Sequence, residues 1–575
     1  SHPTRYTGLN QRPGFWGLLT HYRDCLVTYL NQPWRYALRF HNSPLAWWRA
    51  AALLLVGFGL TGCATYGNGI QAVRQDVETQ RWQAASDHLD KALSPTGADR
   101  VLYYLERGMI KHLQGDFVGS NVQLETAYGL MDPLFRTPVV DQLKSVVSSP
   151  RNNLYRGNDF EQAMVSFIKI INYLNLATQT DSTQMREQFL RDARVEARRI
   201  RLALERAEDE QAIDADGQSG VTALVADLMA VDALPPVPPS AIPLLDWMTA
   251  LVYEMLGETD DARIASQQAL TGYNMGYDHS WGSAAAMQSW LPEPKAVDGM
   301  GDVVLLQLAG LVPEQHEMNI FVGFQGLTQE FTYSPQYASD GREQEQQIWF
   351  QSTIGGPKKR GYWARSASGK EHAKDYRRTS VTVRTQQPER IRSESLMLTA
   401  ILKGFRVPIA YYRSRDYSID TETQVGWAGG TAAMPMGLSI ARKAMEDHAD
   451  HAVRDFYLAF ARELAQQMLA EALYQGTQGE NVSDGAKLFG SIAQLGASLG
   501  AQADTRSWLT LPKEVNMVRL RLPIGQQRLD ITTRTRGGIG VITQSILVNV
   551  QPQQVQFYSL YTATGNSAGL ANKAR

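Results

Sequence analysis

The sequence predicts an α+β fold: helical repeats first, a mixed α/β region next, and a small β-rich region at the C-terminus. Three observations carry this. An aromatic-led helical pattern recurs from Trp82 onward. The texture changes near Asp302, where "DVVLLQLAGLVPEQ" reads as a buried strand and turn. Val518, Leu520 and Leu522 then alternate with Arg519 and Arg521, the period-two signature of a half-buried strand. A chain of 575 residues has room for several folding units of about 100–200 residues each. The expected boundaries are 1–62 for a leader, 63–300 for the helical domain and 301–435 for a mixed α+β region with a long insertion at 320–375. A helical pair is expected over 436–500 and a β-rich region over 501–575.

Composition narrows the function classes. With 43% hydrophobic and 20% charged residues the chain can build a sizeable core. Its 56 basic and 58 acidic residues nearly cancel, so no whole-chain footprint for nucleic acid is present and no nucleic-acid partner is expected. The two cysteines are Cys25 and Cys63, so the body of the chain can hold neither a disulfide framework nor a cysteine-based zinc site.

The first element to explain is the apolar run Ala50 to Leu60, ending in Leu60-Thr61-Gly62-Cys63. A spanning helix needs about 20 apolar residues, and Arg49 interrupts this one too early. A core helix would carry Gly57, Gly59 and Gly62, each costing about 1 kcal/mol against Ala. A signal peptide fits best: Arg35, Arg39 and Arg49 precede a short apolar core, which gives way to small residues. Residues 1–49 are long for such a leader, which points to initiation nearer the run, at Leu38 or Leu45. The ending resembles a bacterial lipobox, with Leu60, Thr61 and Gly62 before the acceptor Cys63. The resemblance implies a diacylglycerol on the Cys63 sulfur and cleavage before it. Two or more acyl chains anchor stably where one does not, at about 0.8 kcal/mol per buried methylene. Lipoproteins retained in the inner membrane often carry an Asp just after the acylated cysteine; Ala64-Thr65 has none, so the resemblance implies the periplasmic face of the outer membrane.

The helical half repeats. Trp82, Ala85, Leu89, Ala92 and Leu93 match Phe117, Ser120, Leu124, Ala127 and Tyr128, and then Phe160, Ala163, Phe167, Ile170 and Ile171. A fourth pass is Gly257, Thr259, Ala262, Ser266, Ala269 and Leu270. These offsets resemble the tetratricopeptide repeat, which implies a glycine at the inter-helix turn and small residues where paired helices meet; a generic array of amphipathic helical hairpins would share the period. The fold class expected is therefore α+β with a tetratricopeptide-like N-terminal helical domain. "MREQFLRDARVEARRIRLALERAEDEQ" reads as one long helix with a solvated charged face, and "LPPVPPSAIP" as a stiff connector.

Fewer elements are explicit in the second half. Residues 320–375, rich in Gln, Gly and Tyr, read as an exposed insertion. Gly355, Gly356, Lys358, Lys359 and Gly361 lack the Gly-x4-Gly-Lys-Ser/Thr spacing of a phosphate loop. "RIRSESLMLTAILKGFRVPIAYYR" mixes strand and loop signals, and Met436 to Gly476 reads as an amphipathic helical pair. His448 and His451, with Asp447 and Asp450, read as a surface charge cluster rather than metal ligands, and no metal or other cofactor is expected. Pro523 to Gly525 reads as the turn of a hairpin running on through Leu529 and Ile531. Arg506 and Trp508, where helices meet sheet, read as a packing latch or else as a candidate partner contact.

The order of lipobox, helical repeat, "GETDDARIA" and "ADTRSWLTLPKE" before a short sheet resembles a family of uncharacterised bacterial outer-membrane lipoproteins. The resemblance implies a membrane association through the lipid anchor and envelope proteins as partners, among them cell-wall synthesis or secretion and appendage machinery; it supplies no catalytic residues. No His-Glu-x-x-His, dinucleotide fingerprint or cysteine nucleophile follows Cys63. The leading expectation is a tethered interaction protein that binds partners on helical surfaces. The alternatives are a subunit of a larger secretion, pilus or flagellar assembly and, third, a cell-wall-related enzyme.

Overall fold

The computed structural model describes residues 65–135, 154–216, 242–274, 284–292, 298–336, 346–347, 349–351, 354, 381–385, 388–393, 395–412, 421–476, 502–535 and 540–564. The expected leader, the Leu60 to Cys63 motif, most of the proline-rich connector and the Gly355 to Gly361 stretch lie outside the described residues.

Successive helices pack in pairs: α1 (Thr65–Glu78) with α2 (Trp82–Ala92), α3 (Arg100–Gln114) with α4 (Phe117–Phe135), α5 (Asp159–Gln179) with α6 (Thr183–Asp216), and α7 (Pro243–Leu256) with α8 (Thr259–Asn274). The two tightest reversals use glycine: Gly115 (φ 86°) and Gly257 (φ 80°) end α3 and α7 in the left-handed region, which a Cβ disfavours. Pro243 opens α7 at its first turn, where its missing N–H costs nothing. The repeat positions Ala85, Leu89, Ser120, Leu124 and Ala127 are fully buried. Trp82 and Phe117 sit at the start of the second helix of a pair, whereas Phe160 falls on α5, which packs against the helix that follows it. Two elements join the helices to the sheets: α9 (Ala284–Gln288) and β1 (Met300–Ala309).

The remaining elements are β2 (His316–Gln325), β3 (Glu330–Gln336), β4 (Val381–Arg384), α10 (Pro388–Ser393), α11 (Ser395–Lys403), β5 (Phe405–Tyr411), β6 (Thr421–Trp427), β7 (Gly430–Met434), β8 (Met436–Ser439) and α12 (Ile440–Gly476). Four strands close the fold: β9 (Glu514–Pro523), β10 (Gly525–Thr535), β11 (Val541–Val550) and β12 (Val555–Thr562). Among the described residues the strands make three four-stranded sheets, ordered β12-β1-β9-β8, β11-β10-β6-β7 and β4-β3-β2-β5. β1 explains why its sequence is a continuous apolar run: Val304, Leu306 and Leu308 enter the core shared with the helices, while Val303 and Leu305 enter the core between the first two sheets. β12 lies parallel to β1 and β9 antiparallel to it. The outer edge of β12 is covered by α5, where Thr178 Oγ1 accepts from the Phe557 amide (3.0 Å) and Asn175 Oδ1 from the Ser559 amide (3.2 Å). The third sheet packs on α12 through Tyr333 against Phe456 (5.1 Å) and Phe405 against Phe460 (5.1 Å). No helix among the described residues is long and apolar enough to cross a membrane.

Several expectations are corrected. Met436 to Gly476 is not a helical pair: Met436–Ser439 is strand β8, and a single 37-residue helix follows, with no glycine or proline inside it before the terminal Gly476. The expected insertion at 320–375 contributes to β2 and β3, and within it Trp349 and Phe350 are buried. "RIRSESLMLTAILKGFRVPIAYYR" forms α10, α11 and β5. The C-terminal strands are no separate small domain, because β9 and β12 flank β1 and β10 pairs with β6. Pro523 to Gly525 is not a hairpin turn: β9 and β10 belong to different sheets, so the chain crosses there between sandwich layers. β9 is not half-buried either. Arg519 is 5% exposed and reaches Glu254 of α7 (2.6 Å) and Asp302 of β1 (2.7 Å), so its charged face lies under helices.

Candidate functional site

A cleft of about 350 Å³ opens between α12, β5, the turn ahead of α5 and residues 503–506. Its α12 wall is one helical stripe at spacings of four and three: His448, Ala452, Asp455, Ala459 and Arg462. The alanines leave the room, and the ionisable groups recur every seven residues. Facing them are Pro408, Ile409 and Ala410 of β5, with Trp349 and Gln315 beside them, and Tyr155, Arg156 and Asn158 ahead of α5.

His448 Nε2 lies 2.9 Å from the Ala410 carbonyl, which can only accept, so that nitrogen carries the proton and Nδ1 is an acceptor. Its ring stacks on Trp349 (5.9 Å) and meets Tyr412 edge-on (5.4 Å); burial holds its pKa below the usual imidazole value. Asp447 is buried, so the expected cluster is not wholly at the surface, and of its described side chains His448 lines the cleft. Arg462 donates from Nε to Glu463 Oε1 (3.2 Å), its side chain is 15% exposed, and its terminal nitrogens have no partner among the described residues. Asp455 is exposed and has no hydrogen-bond or ion-pair partner among them. Glu463 is buried behind Arg462, and burial raises its pKa.

The floor is a clamp between helices and sheet. Arg506, 3% exposed, grips Asp504 through Nε (2.8 Å) and Nη2 (2.6 Å), reaches Asp99 through Nη1 (2.7 Å), and lies over the Tyr155 ring at 5.4 Å. Trp508 is fully buried, and its amide donates to Glu161 Oε1 (2.8 Å). Glu161 Oε2 also accepts from Tyr155 Oη (2.6 Å) and from the Asn158 amide (2.9 Å), fixing the turn that faces the cleft. One turn of chain later, Glu106 of α3 accepts from the amides of Leu509 (2.7 Å) and Thr510 (3.0 Å) and from the Thr510 hydroxyl (2.5 Å). Burial raises the Glu106 pKa to about 7 against these hydrogen bonds, and raises that of Glu161.

The structure therefore gives the sequence-predicted pair a definite place. Arg506 and Trp508 are both interior, Trp508 inside the clamp and Arg506 also bordering the cleft. Sequence reasoning missed Glu106 and Glu161, whose partners lie 403 and 347 residues away. It also missed Asp455 and Arg462, although their heptad spacing from His448 is readable. Among the described residues no group of three or more His, Cys, Asp or Glu could hold a metal ion. The arrangement can hold opposite charges of one ligand at two ends of a partly apolar wall. Comparison of the chain with protein-family models, with curated proteins and with solved structures gives no match.

Proposed function

We propose that this is a lipid-anchored, periplasm-facing interaction or scaffold protein of the bacterial cell envelope, akin to the outer-membrane lipoproteins its sequence resembles. The observation that carries the reading is Leu60-Thr61-Gly62-Cys63 at the end of a short apolar run, directly ahead of α1. In this reading acyl chains on Cys63 confine the protein to the outer membrane. Paired helices then form a tetratricopeptide-like surface that binds envelope proteins, and the sheets brace that surface from behind.

The test is metabolic labelling with palmitate, with fractionation of the wild type and of Cys63→Ser. Labelled wild type in the outer membrane and an unlabelled, released variant are expected. An unlabelled wild type, or a variant equally membrane-bound, overturns the anchor. Pulldown of the detergent-solubilised wild type then reads the role: envelope proteins at low occupancy support a scaffold, stoichiometric companions a subunit of a fixed assembly, and no companions at all count against both.

A further inference from the structure

We propose that the cleft on α12 binds a short peptide with both termini free, its carboxylate on Arg462 and its ammonium on Asp455. The inference rests on the cleft's own geometry and not on the lipid anchor.

Three features lead to it. Arg462 presents two terminal nitrogens with no partner among the described residues, on a side chain that is 15% exposed. Glu463 behind it takes only Nε, so the outer fork stays available for the bidentate geometry a carboxylate prefers. Asp455 is its unpaired counter-charge on the same wall. Seven residues of helix separate the two α-carbons by about 10.5 Å along the axis, close to the span of about three extended residues. Between them Ala459 leaves space. His448, its proton committed to Ala410, offers Nδ1 as an acceptor near the Asp455 end. The volume of about 350 Å³ falls at the lower end of small-ligand clefts, about 300–1,000 Å³.

The opposed charges decide the class. A purely anionic ligand would meet Asp455, and a cation would meet Arg462; a zwitterion of the right length satisfies both. Longer chains would have to leave the cleft and lose one end.

The experiment is calorimetric titration of the detergent-solubilised full chain with trialanine, its C-terminal amide and its N-acetyl derivative. Saturable binding of trialanine is expected, weakened at least about 10-fold by either capping, the scale of one charge-assisted pair. Asp455→Asn, an exposed change that leaves the fold intact, should bind trialanine and N-acetyl-trialanine alike while still rejecting the amide. Arg462→Gln should remove the discrimination against the amide. Equal affinity for free and capped peptides in the wild type overturns the proposal whatever the variants do, as does the absence of saturable binding to about 10 mM.

Discussion

Two of the polar interiors among the described residues are built from different chemistry. Between the two sandwich sheets, Gln307 donates to Thr533 (2.8 Å) and Thr562 (2.7 Å) and accepts from Thr423 (2.9 Å) and Asn516 (3.0 Å). Every one of these five groups is neutral. Where helices meet sheet, the acceptors are the carboxylates of Glu106 and Glu161, and deeper among the helices His112 faces Asn172 at 2.6 Å. The backbone amides of Trp508, Leu509 and Thr510 and the side-chain amide of Gln307 all find acceptors. They differ in what a proton does to them: the sandwich is joined by neutral amides and hydroxyls, and the helical layer is docked by ionisable groups whose pKa burial shifts.

The sharpest way to break that contrast is to remove Glu106. Glu106→Ala strands the buried amides of Leu509 and Thr510, each at about 1–3 kcal/mol, so a loss of about 2–5 kcal/mol is expected in urea unfolding. Glu106→Gln tests the titration itself. The folded-state pKa is raised from 4.5 to about 7, so its contribution is complete below pH 4.5 and is lost as pH rises through 7. At about 1.36 kcal/mol per unit, the wild type should lose about 3 kcal/mol relative to Glu106→Gln between pH 4.5 and pH 8. His112 works with the opposite sign. Burial lowers it from 6.5 to about 4, so its contribution is complete above pH 6.5 and is lost as pH falls through 4. The advantage of the wild type over His112→Gln should therefore shrink by about 3 kcal/mol on acidification. A pH-independent difference for both variants would remove the distinction between the two interiors.

Gln307→Leu is the matching change in the sandwich. It keeps the approximate volume but strips partners from three threonines and an asparagine. Thr423 and Thr533 retain each other at 3.1 Å, and Thr562 retains Gln544 at 2.5 Å. The loss should be about 1–3 kcal/mol and the same at pH 5 and pH 8. A slope with pH would overturn the assignment of this network to neutral groups alone.

How much of this was legible in the sequence follows the range of the forces. β1 announced itself because both its faces are apolar, and α6 because a long charged helix needs only local periodicity. β9 showed its alternation, but the partners that bury its arginines, Glu254 and Asp302, lie more than 200 residues away and carry no local signature. β2 was hidden by a polar-looking stretch, although Met318, Ile320 and Val322 supply the inward period of two. The single helix α12 was split by expectation alone, since nothing between Ile440 and Tyr474 breaks a helix. The site was the least legible part. A clamp made of backbone amides leaves no mark on residue types at all, and a cleft exists only once β5 and α12 are opposed.

The smallest predicted effects set two glycines of the helical layer against each other. At Gly108 a Cβ would stand 2.6 Å from Leu124 Cδ2 and 2.7 Å from its Cγ, in the buried contact of α3 with α4. At Gly129, on the exposed side of α4, it would meet nothing within 4 Å. Alanine gains up to about 1 kcal/mol of helix propensity at either place. At Gly108 this is opposed by about 1–3 kcal/mol of overpacking. Gly129→Ala should therefore raise the melting temperature by about 1 °C and Gly108→Ala should lower it, and the two changes, made in one chain, should nearly cancel. If Gly108→Ala stabilises as much as Gly129→Ala, the close approach of α3 to α4 is absent, and with it the reason for a small residue at that crossing.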